Sequence, residues 1–176
     1  MGVVVRRLVV VLVVAFLAAG CGGTSTGGSS TWVGSPEPPV TSPTPNAGPS
    51  TLTVAQAGSR YLQIVAPYNT ALQKFQDAAH ANKPWRDLLP LAGQVAQANA
   101  AQAMALRQTS WPVQVATPMA ALLTEIDLAQ GDWQRAADAK TSDQLAQAVR
   151  TAAGHSGSTP AGQIRTAFGL PPYTKS

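Results

Sequence analysis

Few residues in this chain have the type and spacing that chemistry requires. The nearest approach to a nucleophile motif is Gly154-His155-Ser156-Gly157-Ser158, in which Ser158 stands where a Gly-x-Ser-x-Gly elbow has its second glycine. That elbow works at a strand-to-helix turn. Here it falls between two predicted helices, and the adjacent His155 and Ser156 do not readily meet as nucleophile and base, so the stretch reads as a flexible loop. Asp127, Asp132, Asp138 and Asp143, with Glu125, make one region mildly acidic, and Arg135, Lys140 and Arg150 lie nearby as counter-charges. A solvated helix face is expected there rather than a cation site, and the carboxylate pair of a glycosidase would need a cleft that a narrow bundle does not offer.

Metal and haem chemistry find no better footing. A di-iron bundle needs inward Glu and a Glu-x-x-His pair. Glu125 is the only Glu after position 37, and neither His80 nor His155 has a Glu three places before it. Met104, Met119 and His80 lack any accompanying Cys-x-x-Cys-His, and lone Met residues on apolar faces are ordinary core filler. His80 is expected at the C-terminal end of its own helix, where the partial negative charge favours imidazolium. No catalytic residue, metal or cofactor is predicted, and the chain is not read as an enzyme.

The elements that carry these residues are helices. Thr53-Val54-Ala55-Gln56 has capping-box spacing, and behind it Tyr61, Val65, Tyr68, Leu72, Phe75 and Ala79 recur at steps of three and four, with Pro67 interrupting. Asn82-Lys83-Pro84 breaks that pattern, and Pro84 suits the first turn of a second helix. Its inward face is Trp85, Leu88, Ala92, Val95, Asn99 and Leu106, with Pro90 in its second turn. A third helix is expected to be capped by Thr117 with Pro118 at its first position, bearing Met119, Leu122, Ile126, Ala129, Trp133 and Ala136. Thr141-Ser142-Asp143-Gln144 is a second capping box, opening a helix with Leu145, Ala148, Val149 and Ala152 that ends at Gly154. A short helix from Ser158 to Phe168, closed by Gly169, completes the set.

No stretch alternates with period two for long, so no sheet is predicted. The fold class is all-α: a small antiparallel four-helix bundle over residues 53–170 with a short C-terminal helix, followed by a tail at 171–176. About 120 residues suffice to bury a core without disulfides or metal, and the Ala-rich seams argue against a large internal cavity. Of Trp85, Trp111 and Trp133, the first two adjoin a Pro near a helix start and are expected to staple helix ends; an exposed aromatic patch for a partner is the functional alternative.

The N-terminus supplies the address. Residues 1–20 have the charged start (Arg6, Arg7), the apolar run from Leu8 to about Leu17 and the small residues of a secretory signal, and the run is shorter than the roughly 20 residues a bilayer span requires. Cys21 is the only cysteine, so an internal disulfide is not its purpose. Leu17-Ala18-Ala19-Gly20-Cys21 resembles the lipobox of bacterial lipoproteins, with Ala18 where Leu is commonest. The resemblance implies cleavage before Cys21, a diacylglycerol on its thiol and often a third acyl chain on its amine. Two or more chains anchor a protein stably, which one does not.

Residues 21–52 are then a lipidated Cys and a Gly/Ser/Thr/Pro-rich disordered tether, spanning on the order of 30 Å coiled and about 90 Å extended. Thr24, Thr26, Thr31, Thr41 and Thr44 are candidate O-glycosylation acceptors, with an unmodified spacer as the equal alternative. Pro36 to Pro39 has Pro-x-x-Pro spacing that could dock on an aromatic groove, though a bare spacer is the simpler reading. Removing residues 1–20 lowers the formal charge from +4 to +2, 10 basic minus 8 acidic residues, with no basic stripe, so nucleic acid is excluded as an expected partner.

The whole layout, ending in Ile164-Arg165-Thr166-Ala167-Phe168-Gly169-Leu170-Pro171-Pro172, is similar to small secreted lipoproteins of mycobacteria and related actinobacteria. That resemblance implies an envelope protein anchored at the cell membrane on its extracytoplasmic face, and transfers no site residue except Cys21. The leading functional expectation is a binding or scaffold module held off the membrane and presented to an envelope protein or polymer. The alternative is a carrier of lipid or another apolar molecule in a cavity opened by Pro67 and Pro90. An enzyme would require a cleft converging on Glu125, an Asp or His155.

Overall fold

The computed structural model describes residues 52–172, and among these every regular element is helical. The elements are α1 (Val54–His80), α2 (Trp85–Gln108), a single 3₁₀ turn (Val113–Val115), α3 (Ala116–Ala137), α4 (Ser142–Gly154) and α5 (Ser158–Ala167). The chain is an all-α helical bundle.

Local chemistry explains most of the boundaries. Thr53 caps α1 reciprocally: its hydroxyl accepts the Gln56 amide at 3.3 Å, and the Gln56 side chain accepts the Thr53 amide at 2.9 Å. At the other end Asn82 turns left-handed (φ 53°), and the Lys83 and Asn82 amides reach back to Ala78 and Ala79. This 6→1 and 5→2 pair satisfies carbonyls that the helix end leaves free. Gly169 (φ +65°) repeats the arrangement after α5, with the Leu170 amide on Arg165 and its own on Thr166. The cap at α4 differs from the expected box, because Thr141 accepts the Gln144 amide but the Gln144 side chain accepts from Lys140 instead of Thr141.

The start of α3 departs further. The 3₁₀ turn runs directly into the helix, so α3 begins at Ala116 and neither Thr117 nor any other side chain caps it. Pro118 is its third residue, a position whose amide has no intrahelical partner in any case. Pro84 likewise stands just before α2, not within it. Pro67 and Pro90 lie inside helices that continue on both sides, each removing one amide from the ladder at an exposed position.

The expected stripes face inward. All six α3 positions and all four in α4 are buried; in α1 and α2 only Tyr68, Ala79, Trp85 and Leu88 stay half-buried. They pack into two layers. One joins the beginning of α1 (Ala57, Tyr61), the end of α2 (Leu106), the beginning of α3 (Met119, Leu122) and α5 (Ile164). The other joins the end of α1 (Leu72, Phe75), the beginning of α2 (Val95), the end of α3 (Trp133) and α4 (Leu145, Val149). Successive helices therefore run antiparallel, and α4 and α5 in succession fill the fourth position. What the sequence suggests is an appended short helix is the second half of that fourth rod.

Aromatic rings fix both layers. Trp133 meets Phe75 edge-on at 5.4 Å, while Tyr61, Trp111 and Phe168 form a triangle with centroids 6.0 to 6.4 Å apart. The Trp111 indole also donates to the Leu106 carbonyl at 2.7 Å, fastening the end of α2 as its place beside Pro112 leads one to expect.

Candidate functional site

The break in the fourth rod, Gly154 to Gly157, lies against α3. Gly157 makes the approach feasible, since a Cβ there would stand 2.7 Å from a methyl of the buried Leu122. The turn delivers His155 onto α3, where its Nε2 lies 3.3 Å from Asp132 Oδ2 and its Nδ1 lies 4.0 Å from Glu125 Oε2. Glu125 and Asp132 are seven residues apart, two turns of one helix face, so the ring sits between them. Arg135, one turn on, donates to the other Asp132 oxygen.

Asp132 is the surprise in this cluster. The sequence predicts a solvated face here, yet Asp132 is 1% exposed, next to the Trp133 core position. A buried carboxylate needs charge and hydrogen-bond partners; the Arg135 guanidinium supplies both to one oxygen, and the His155 ring packs against the other. The remaining acidic residues agree with expectation: Asp127 forms an exposed pair with Arg107 at 2.5 Å, and Asp138 and Asp143 are exposed. Asp143 sits in the first turn of α4, where it complements the helix dipole.

A carboxylate holding an imidazole is half of a nucleophile-activating triad. The other half is not assembled here: the Ser156 and Ser158 hydroxyls bond each other at 2.8 Å. The two ring nitrogens face different carboxylates, so the three groups do not converge on one ion, and no trio of His, Cys, Asp or Glu among the described residues is arranged to hold a metal. What this arrangement does is hold the broken rod in register on α3.

A second polar feature crosses α2 and α3. Asn99, 2% exposed, donates its amide to the Ile126 carbonyl at 2.9 Å and to the Gln130 side chain at 2.8 Å. Beside it an open groove of about 450 Å³ runs along the outer junction of the two helices, lined by Ala100, Ala103, Met104 and Ile126 and flanked by the Arg107–Asp127 pair. Its surface is mostly apolar, and Met104 is 60% exposed. From α2 the groove takes two small side chains, Ala100 and Ala103, beside Met104.

The Met and His residues weighed as haem ligands are dispersed: Met104 on this surface, Met119 in the core, and the exposed His80 in the last turn of α1 as expected. Tyr68 turns its hydroxyl toward Trp133, and burial pushes the phenol up to about 12, the Trp133 contact acting in the opposite sense. Trp85 is half-buried under the adjacent Arg86 guanidinium at 4.7 Å.

Cys21 and the threonines at 24, 26, 31, 41 and 44 lie outside the described residues. No helix among the described residues is long and apolar enough to cross a membrane. Comparison of the chain with protein-family models, with curated proteins and with solved structures finds no match.

Proposed function

We propose that this chain is a lipoprotein of the cell envelope, anchored through Cys21 at the extracytoplasmic face of the membrane, whose bundle is a binding module and not an enzyme. The groove between α2 and α3 is its contact surface. The observation that carries this reading is an exposed methionine set in a mostly apolar groove beside the Arg107–Asp127 pair. Met adapts its shape to what it meets, and a rim charge pair gives orientation to an apolar contact. The groove's volume also falls within the range of small-ligand sites, which favours a carrier as the second reading. The groove is open along the helices, which supports a peptide or polymer segment lying on them over an enclosed apolar molecule.

The test is photocrosslinking in intact cells from a photoreactive residue placed at Met104, against the same residue placed at Arg150 on α4. A discrete crosslinked partner from position 104 only, lost on Arg107→Asp, supports the groove. Equal yields from both positions, or none from either, would remove it.

A further inference from the structure

We propose that the end of the bundle where the chain enters from its N-terminal segment docks on the lipid bilayer, with the 3₁₀ turn at Val113 as its point of contact. The proposal rests on the lipid-anchor reading of Cys21 and adds an orientation to it.

The charges of the domain are distributed unevenly along its axis. Three stretches meet at one end: residues 52–59 leading into α1, residues 108–124 from the end of α2 into α3, and residues 166–172 after α5. None contains an ionisable side chain. They share this end because Tyr61, Leu106, Met119 and Phe168 occupy one core layer with Leu52, Trp111 and Leu170 packed against it, and because Gly58 lies against Phe168 and Leu170. The opposite end, residues 74–87 and 132–143, is where charged residues concentrate.

Burial does not account for the lack of charge in these three described stretches. Ser110, Val113, Gln114, Thr117, Ala121 and Thr124 are all exposed there, and Val113 is 86% exposed, the most of any large hydrophobic residue described. Val54 is exposed at the same end. Moving inward, the first charges are Arg60 on α1, which is exposed, Arg107 on α2, which is paired with Asp127, and Glu125 on α3; Arg165 on α5 is buried, with its guanidinium on the Pro171 carbonyl. A protruding apolar side chain on a rim of neutral polar residues, with the exposed Arg60 behind it, matches the layering of a bilayer interface: hydrocarbon, carbonyl zone, phosphate. It is not that of a protein hot spot, because Trp111 and Phe168 are turned inward against Tyr61.

The occupant is set by where the chain comes from. Residue 52 emerges at this end, and on the lipoprotein reading the acylated Cys21 stands about 30 residues before it. A tether of that length holds the domain near its membrane at an effective concentration on the order of millimolar, so a weak surface affinity suffices for docking. The charged end then faces away from the lipid, and the α2–α3 groove opens sideways.

The test uses the acylated full chain, purified from membranes and reconstituted into phosphatidylethanolamine/phosphatidylglycerol vesicles. Because acylation occupies the thiol of Cys21, one introduced cysteine can be labelled selectively with a polarity-sensitive fluorophore, at Gln114 beside the contact or at Ala81 on the far end. Brominated lipids are expected to quench the label at 114 several-fold more than the label at 81, and Val113→Asp should abolish that difference with the thermal midpoint unchanged. Equal quenching at both positions in protein that floats with the vesicles overturns the docking while leaving the anchor intact. Protein with unmodified Cys21 that fails to float overturns the anchor, and the docking with it. Concentration-dependent shielding of position 114 without vesicles overturns the docking in favour of a contact between copies of the chain.

Discussion

Replacing Asp132 tests whether the polar insert at the α4/α5 break holds the fourth rod on α3. Its carboxylate is 2% exposed and lies 3.3 Å from the His155 ring, which is 28% exposed, with Arg135, 66% exposed, on its other oxygen. The Asp132 carboxylate and the Arg135 guanidinium, opposite charges at about 4 Å or less, attract by about 4 kcal/mol at an effective dielectric of 20, and desolvation of the carboxylate subtracts several kcal/mol. The pair as a whole is therefore worth little against an apolar substitute, but its removal is not neutral. Breaking a fully buried pair costs roughly 3–5 kcal/mol because the survivor is stranded. Arg135 can rehydrate and His155 keeps Glu125, so the expected cost of Asp132→Ala is lower, about 2 kcal/mol.

Asp132→Asn keeps the shape and one acceptor and should cost under about 1 kcal/mol. His155→Ala should cost about 1 kcal/mol, and the double variant less than the sum, with a coupling of about 1 kcal/mol. Urea unfolding with an unchanged slope measures all four, and hydrogen exchange should show the amides of 154–158 opening first in the variants. An Asp132→Ala protein as stable as the parent, or a coupling of zero, would refute the reasoning.

Other expectations follow from single contacts. Gly157→Ala forces a Cβ against Leu122 and should destabilise by about 1–3 kcal/mol, whereas Gly154→Ala, with nothing within 4 Å, should be neutral or stabilise by up to about 1 kcal/mol; thermal midpoints of the same sign for both would contradict the packing at the break. Asn99→Ala should cost about 1–3 kcal/mol by leaving the Gln130 amide oxygen without its donor, and a neutral result would show that water replaces the bond. Tyr68 has a folded pKa raised from 10.0 to about 12, so the unfolded chain ionises first. The stability it contributes is full below pH 10 and should be lost between pH 10 and 12 at up to about 1.4 kcal/mol per unit, less in Tyr68→Phe, as alkaline unfolding of the two proteins would measure.

The helices were legible because their signals are local. The α3 stripe from Met119 to Ala136, the Thr53–Gln56 box and the Gly169 stop each depend on residues within a few positions, and each takes the expected form. The Thr117-Pro118 cap signal is overridden because Val113–Val115 adds a turn upstream that buries Val115, a tertiary effect. The role of α5 was invisible for a similar reason. A ten-residue helix after a Gly-rich break looks like an appendage, and only the division of the core into two layers shows that it completes the fourth rod. Asp132 and His155 are 23 residues apart, and nothing in the spacing around Asp132 distinguishes it from the exposed acids at 127 and 138 except its position beside Trp133. The groove had even less signal, since Ala100 and Ala103 read as generic helix formers and Met104 as core filler.

The central claim is an anchored binding module, and the anchor can be tested first. The N-terminal peptide of the protein taken from its own membranes should begin at Cys21 and carry the mass of a diacylglycerol, with or without a third acyl chain. An unmodified Cys21, whether in the intact precursor or in a chain cleaved elsewhere, would contradict the account from the anchor outward.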